Sequence, residues 1–223
     1  MGHHAEIVAL LDLLMPPACA SCGRSGTLLC AGCLNGFVRA SRPAERFLAP
    51  DRGVVVGESL AVGVAAFAYE GPVRRALAAL KYSGASRLAP ILAGTCEASL
   101  GGLLAISGPA TLVPVPVHPE RRRARGYNQA ELIAKPLGRA ARLPNAEILD
   151  RIRPTTRQHR LNRPARLANL RDAFAMRTGA HVRPVVILVD DIITTNATLE
   201  ACAAVLRVAG CETVYGFAVA REV

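Results

Sequence analysis

The stretch Pro184-Val185-Val186-Ile187-Leu188-Val189-Asp190-Asp191-Ile192-Ile193-Thr194-Thr195-Asn196-Ala197-Thr198 decides the fold. Val185 to Val189 is an apolar, largely β-branched run with no polar break, as a parallel strand covered on both faces requires. Asp190 and Asp191 follow at its carboxyl end. A hydroxyl-rich turn then leads into an Ala-rich helix expected from Ala197 to Val208 and ended by Gly210, and Thr213 to Val219 reads as the next strand. Strand, turn and helix in this order build part of an open α/β sheet, whose ligands sit at the carboxyl ends of the strands.

That turn has a specific chemical capacity. The free backbone N–H groups of the first helical turn, together with Thr194, Thr195, Asn196, Ala197 and Thr198, make a compact anion site suited to a monophosphate. The two carboxylates stand a few residues earlier, about where the ring hydroxyls of a sugar lie relative to its 5′-phosphate. A Walker A loop needs a lysine after its glycines and a dinucleotide fingerprint needs three spaced glycines; the stretch has neither. Paired aspartates at a strand end are common as a solvated feature, and it is the Thr-Thr-Asn-Ala-Thr turn behind them that points to a ribose 5-phosphate cradle.

Upstream the chain keeps alternating. Val62 to Tyr69 has the apolar density of a strand, and Gly71-Pro72 marks a break. Val73 to Tyr82 places Val73, Ala76, Leu77 and Leu80 on one helical face with Arg74, Arg75 and Lys81 on the other. Arg87 to Leu100 reads as a second helix, Leu112 to Val117 as a short buried strand closed by Pro116 and Pro119, and Tyr127 to Ala141 as a helix in which Pro136 is a kink point. The uncharged run from Ala98 to Pro119 has the length of a membrane span, but Gly101, Gly102, Gly108, Pro109, Pro114 and Pro116 break it, so no span is expected. Met1 to Leu14 lack the basic start and cleavage pattern of a secretory signal, and a cytoplasmic, reducing location is expected.

Among the seven cysteines, Cys19, Cys22, Cys30 and Cys33 form two C-x-x-C knuckles close together, whereas Cys96, Cys202 and Cys211 are scattered in apolar sequence. Each knuckle lets a tight turn aim two thiolates at one tetrahedral ion, and the seven residues between them can fold back as a hairpin. Four sulfur ligands with no open position describe a structural zinc site. A redox pair would occur once, at a helix start, and disulfides do not persist in a reducing compartment. The scattered cysteines read as small core residues, and His3 and His4 lack ligand spacing.

Bulk composition sets the remaining bounds. The 223 residues suffice for one full domain plus a small module, and 51% hydrophobic content implies a packed core. We divide them into a helix and four-cysteine module (1–40), a linker (41–58) and the main domain (59–223). A formal net charge of +10, from 27 basic against 17 acidic residues, suits a polyanionic partner, either the phosphates of a small ligand or nucleic acid. Aromatic residues make up only 4%, which disfavours a base-stacking platform.

Val186 to Thr198 resembles the phosphoribosyl pyrophosphate signature of type I phosphoribosyltransferases. Val113-Pro-Val-Pro-Val-His-Pro119, then Arg121-Arg-Arg-Ala-Arg125-Gly-Tyr-Asn-Gln129, is similar to a pattern of the ComF competence family. So are Leu80-Lys81-Tyr82-Ser83-Gly84, the segment Thr156-Arg157-Gln158 with Arg166, Asn169 and Phe174, and the cysteine knuckles. The resemblance implies an α/β fold with an open, mostly parallel sheet, helices on both faces and a small N-terminal zinc module. It implies Asp190 and Asp191 on the ribose hydroxyls as the catalytic pair, Thr194 to Thr198 around the 5′-phosphate, and Arg125, Arg122 and Lys81 against pyrophosphate. It also implies Mg²⁺ bound with phosphoribosyl pyrophosphate, and single-stranded DNA and DNA-uptake proteins as partners. The segment from Thr155 to Asn169 would close over the site. Asn196 departs from the family, which usually has Gly there; Asn is the non-glycine residue that best tolerates positive φ, and its added side chain would either crowd the phosphate or hydrogen-bond to it.

Overall fold

The computed structural model describes residues 16–40, 54–82, 86–153, 170 and 172–222. Expectations for Met1 to Leu14, His3, His4, Ser83, Gly84, most of the linker, and the segment with Thr156, Arg157, Gln158, Arg166 and Asn169 lie outside these residues. In chain order the elements are α1 (Ala31–Asn35), β1 (Val54–Val55), β2 (Val62–Ala68), α2 (Gly71–Tyr82), α3 (Leu88–Ser107), β3 (Thr111–Pro114), α4 (Pro119–Arg125), α5 (Gln129–Ala141), β4 (Leu149–Arg151), β5 (Phe174–Met176), β6 (Val185–Ile193), α6 (Ala197–Val208) and β7 (Thr213–Arg221).

The main sheet has the order β1-β2-β7-β6-β3, parallel throughout except for the two-residue edge strand β1. β6 lies between β7 and β3, so both of its backbone edges are paired, and Val186, Ile187, Leu188 and Val189 are completely buried. Because strand side chains alternate, these four residues divide between two cores. Ile187 and Val189 join the core made by α2, α3, α5 and the cysteine module, whereas Val186 and Leu188 join the core made by α6 and the β4–β5 hairpin. The sheet is therefore covered on both faces, the α/β class expected.

Several boundaries differ from the sequence expectation for identifiable reasons. β6 does not end before its aspartates: pairing with β7 continues to Ile193 opposite Arg221, so Asp190 and Asp191 lie inside the strand. β3 stops at Pro114, three residues short of Val117, although the Val115 N–H still donates to the Val189 carbonyl at 2.8 Å; Pro116 then has no N–H to continue the ladder. α5 starts at Gln129 because the buried Asn128 caps it, its side-chain oxygen accepting from the Ala130 N–H. Pro119–Arg125 is a separate short helix ended by Gly126 at φ 84°. α3 runs past Leu100 to Ser107, since Leu103 extends its buried face, and Gly108 at φ 66° stops it. By length and composition this helix could cross a bilayer. Its buried stripe of Leu88, Leu92, Cys96, Leu100 and Leu103 packs in the first core, which accounts for its apolar character.

The position of α6 depends on two glycines. Gly63 and Gly216 are cross-strand partners, and the Leu199 side chain of α6 lies where a Cβ at Gly216 would stand, 2.9 Å away. Glu200 then accepts from the Ser59 N–H at 2.6 Å and the Leu60 N–H at 3.2 Å, fastening the strand approach to the first turn of α6.

Candidate functional site

Asp190 and Asp191 are consecutive strand residues, so each meets a different face of the sheet. Asp191 faces α2, and its Oδ2 lies 2.8 Å from Lys81 Nζ, a pair with both side chains about 15% exposed. The contact satisfies charge without the alignment of a directed hydrogen bond. Asp190 is on the side of α6 and the hairpin, within electrostatic reach of Arg151 and Cys202. The two carboxyl groups still approach closely enough to hydrogen-bond each other, and Asp190 Oδ1 also accepts from the Asp191 N–H at 2.8 Å. Burial, followed by the charge of Asp191, pushes the Asp190 carboxyl well above the usual carboxylate range, against the pull of Lys81. Asp190 and Asp191 thus present their carboxyls to opposite faces of the sheet, with Lys81 beside the second and Arg151 within electrostatic reach of the first.

Beyond them the chain turns from β6 into α6. Thr194 is exposed, Thr195 and Thr198 are half-buried, and Asn196 and Ala197 are buried. Asn196 adopts φ 62°, the left-handed conformation that its tolerance of positive φ allows. Its side-chain Nδ2 donates to the Val56 carbonyl at 3.3 Å. The amide thus anchors the turn to the segment after β1.

Lys81 is accordingly brought to the aspartates. Arg122 and Arg125 are engaged elsewhere: Arg122 contacts Glu131 at 3.1 Å and Glu147 at 3.6 Å, and Arg125 donates to Gln129 at 3.1 Å. Arg122 lines a cavity of about 330 Å³ between the Pro114–Pro119 turn and β4, with Asn128 and Arg151. Arg151 has no counterpart in the sequence reading. Its guanidinium lies 5.2 Å from the Phe174 ring centroid across the hairpin, and burial, then the charge of Arg121, lowers its pKa while Cys202 and Asp190 oppose the shift. Asp150-Arg151-Ile152-Arg153 gives no signal in sequence, because only the hairpin turns Arg151 inward.

At the other end of the chain the Sγ atoms of Cys19, Cys22, Cys30 and Cys33 all lie within 4.8 Å of one another. A tetrahedral ion with Zn–S bonds of about 2.3 Å separates its sulfurs by about 3.8 Å, and Cys22 and Cys30 stand 3.7 Å apart, so the set fits a metal such as zinc. Burial opposes ionisation of Cys19, yet the N–H groups of Cys30, Cys22 and Ser21 outweigh it and bring that thiol down to about 6. Ser21 pulls Cys33 down, but burial and the three neighbouring sulfurs push it up to about 11. Four such sulfurs ionise together only around a cation. The module is docked by Arg75 of α2, whose Nε donates to the Ser21 carbonyl at 2.7 Å. Cys96, Cys202 and Cys211 are buried, as expected of core residues.

No family model matches the chain. Competence protein F of Haemophilus influenzae is 37% identical over 116 residues, about half of each chain. DNA utilization protein YhgH of Escherichia coli O157:H7 is 28% identical over 204 residues, 88% of this chain and 85% of the relative. The protein of that name in Shigella flexneri is 31% identical over 150 residues, 66% of each.

Two outcomes are expected. Zn²⁺ added to the reduced, metal-free chain should bind at one equivalent per chain, and Cys30→Ser should weaken it by well over about 10-fold; binding that survives this substitution would exclude the cysteine cluster. The second concerns Asp190. Its folded-state pKa is raised, so in the wild type it subtracts stability as pH rises from about 4, the unfolded value, through the raised folded value. Asp190→Asn should therefore increase the Tm at neutral pH, with the gain vanishing below about pH 4. A variant less stable at neutral pH, or a gain independent of pH, would contradict the buried-carboxyl description.

Proposed function

Since the chain belongs to the ComF competence family, we propose that it binds phosphoribosyl pyrophosphate with Mg²⁺ at the Asp190–Thr198 turn and serves DNA uptake or the use of imported DNA. The observation that supports this reading is the placement of two adjacent carboxyls directly after the four fully buried residues of a parallel strand, whose last residues lead into a left-handed turn and a helix start. Asp190 and Asp191 hold the ribose diol. The N–H groups and hydroxyls from Thr194 to Thr198 receive the 5′-phosphate, with the helix dipole of α6 behind them. Lys81 neutralises charge beside Asp191, and Arg125 and Arg122 face pyrophosphate once ligand competes for them. Mg²⁺, which prefers oxygen ligands, supplies charge neutralisation between pyrophosphate and the ribose hydroxyls. The chain itself supplies fixed electrostatics.

We assign zinc to the four-cysteine site in a structural role, since no ligand position is left open, and a reducing cytoplasm as the compartment that keeps its thiols available. Catalysis would make the chain a phosphoribosyltransferase, and pyrophosphate release in the presence of candidate acceptors distinguishes that from binding alone. A second reading, a phosphoribosyl-pyrophosphate-responsive protein that binds single-stranded DNA or acts as an adaptor, is favoured by α4, where Arg121, Arg122, Arg123 and Arg125 fall within seven residues.

Calorimetry should show Mg²⁺-dependent binding of phosphoribosyl pyrophosphate that Asp191→Ala weakens by about 10-fold or more, the worth of lost charged hydrogen bonds; equal binding by wild type and variant would reject the reading. Affinity for single-stranded DNA should fall with salt at a log–log slope of about −0.7 for each phosphate neutralised, and a flat response would reject the second reading.

A further inference from the structure

Lys81 and Lys135 are the only lysines in the chain. Lys135 is on α5, one turn from its partner Glu131, with about half its side chain exposed. Lys81 is different: it belongs to the last turn of α2, and its ammonium is held against Asp191 in a nearly closed setting. Holding a four-carbon stem in one arrangement costs rotamer entropy, so the backbone it grows from has to be fixed. The last carbonyls of a helix have no partner within it. The Leu80 carbonyl is one of these, and Tyr127 Oη donates to it at 2.7 Å. Burial raises the Tyr127 phenol above its usual value, so it stays a donor.

Tyr127 is itself fixed on both sides. Gly126 before it takes φ 84° and donates to the Arg122 carbonyl at 2.8 Å, and the Asn128 side chain donates to the Val115 carbonyl at 3.0 Å. Val115 in turn donates to the Val189 carbonyl, one residue before the aspartates. The contacts close a ring: the end of β3, the Gly126–Asn128 turn, the end of α2, Lys81, Asp191 and the end of β6.

We propose that Tyr127 is a positioning residue for the Lys81–Asp191 pair. Its hydroxyl locks the last turn of α2 so that the ammonium meets the second carboxylate, and it thereby couples the turn behind β3 to the acidic end of β6. The functional weight of this role rests on the reading of Asp191 as a ligand-binding carboxylate.

Tyr127→Phe removes only the hydroxyl and leaves the ring in place. In the full chain carrying ¹³C/¹⁵N-lysine, the Lys81 ammonium signal should shift in Tyr127→Phe in the same direction as in Asp191→Asn, while that of Lys135 stays fixed; an unmoved Lys81 signal would overturn the proposal. Tyr127→Phe should also weaken Mg²⁺-dependent binding of phosphoribosyl pyrophosphate by about 5–10-fold in the wild type. In a Lys81→Met background its effect should be below about 2-fold, because both substitutions act through one contact. Equal losses in both backgrounds would mark a merely structural tyrosine and overturn the proposal. If the wild type does not bind Mg²⁺ and phosphoribosyl pyrophosphate at all, the ligand reading fails, whereas the lysine spectrum still decides the role of Tyr127.

Discussion

A strand buried on both faces and paired on both edges offers no place for charge along its length. Its first polar residues follow the buried run, and whatever chemistry the strand carries is concentrated there. β6 obeys this constraint: four consecutive residues are fully buried, and the next two are Asp190 and Asp191. Desolvating them is unfavourable, and that penalty is visible as the raised Asp190 carboxyl. The surrounding elements are arranged to offset it. Lys81 comes from α2 to pair with Asp191 and also draws the Asp190 carboxyl down, while Arg151 of the hairpin lies within electrostatic reach of Asp190 from the other face.

The same constraint explains why the site is assembled by contacts between elements distant in sequence. The turn from Thr194 to Thr198 needs a left-handed residue, which Asn196 supplies while tying itself to Val56, far upstream. Glu200 binds the backbone at Ser59 and Leu60. Tyr127 and Asn128 bind the carbonyls of Leu80 and Val115. These hydrogen bonds close the ends of elements whose own ladders have run out, so the capping of the fold and the rigidity of the site are the same set of interactions.

How much of this could be read in the sequence follows from the range of each interaction. The central strand, α6 and the cysteine knuckles were legible because their signals are local: an unbroken apolar run, an Ala-rich helix with a glycine stop, and paired C-x-x-C spacing. The extension of β6 through its aspartates was not, since it depends on the partner residues of β7 out to Arg221. The β4–β5 pair is not legible because its strands have three residues each, too few for an alternating pattern, and β4 carries two charges; Arg151 is hidden with it. Resemblance points Lys81 at pyrophosphate, and nothing near it in sequence reveals that its partner is Asp191, 110 positions away.

The most direct measurement of the central claim is a crystal structure of the chain with Mg²⁺ and phosphoribosyl pyrophosphate. The 5′-phosphate should lie within hydrogen-bonding distance of the backbone between Thr194 and Thr198, with the ribose hydroxyls on Asp190 and Asp191. Ligand density on the arginines of α4 instead, with the Lys81–Asp191 contact intact and the turn vacant, would contradict it.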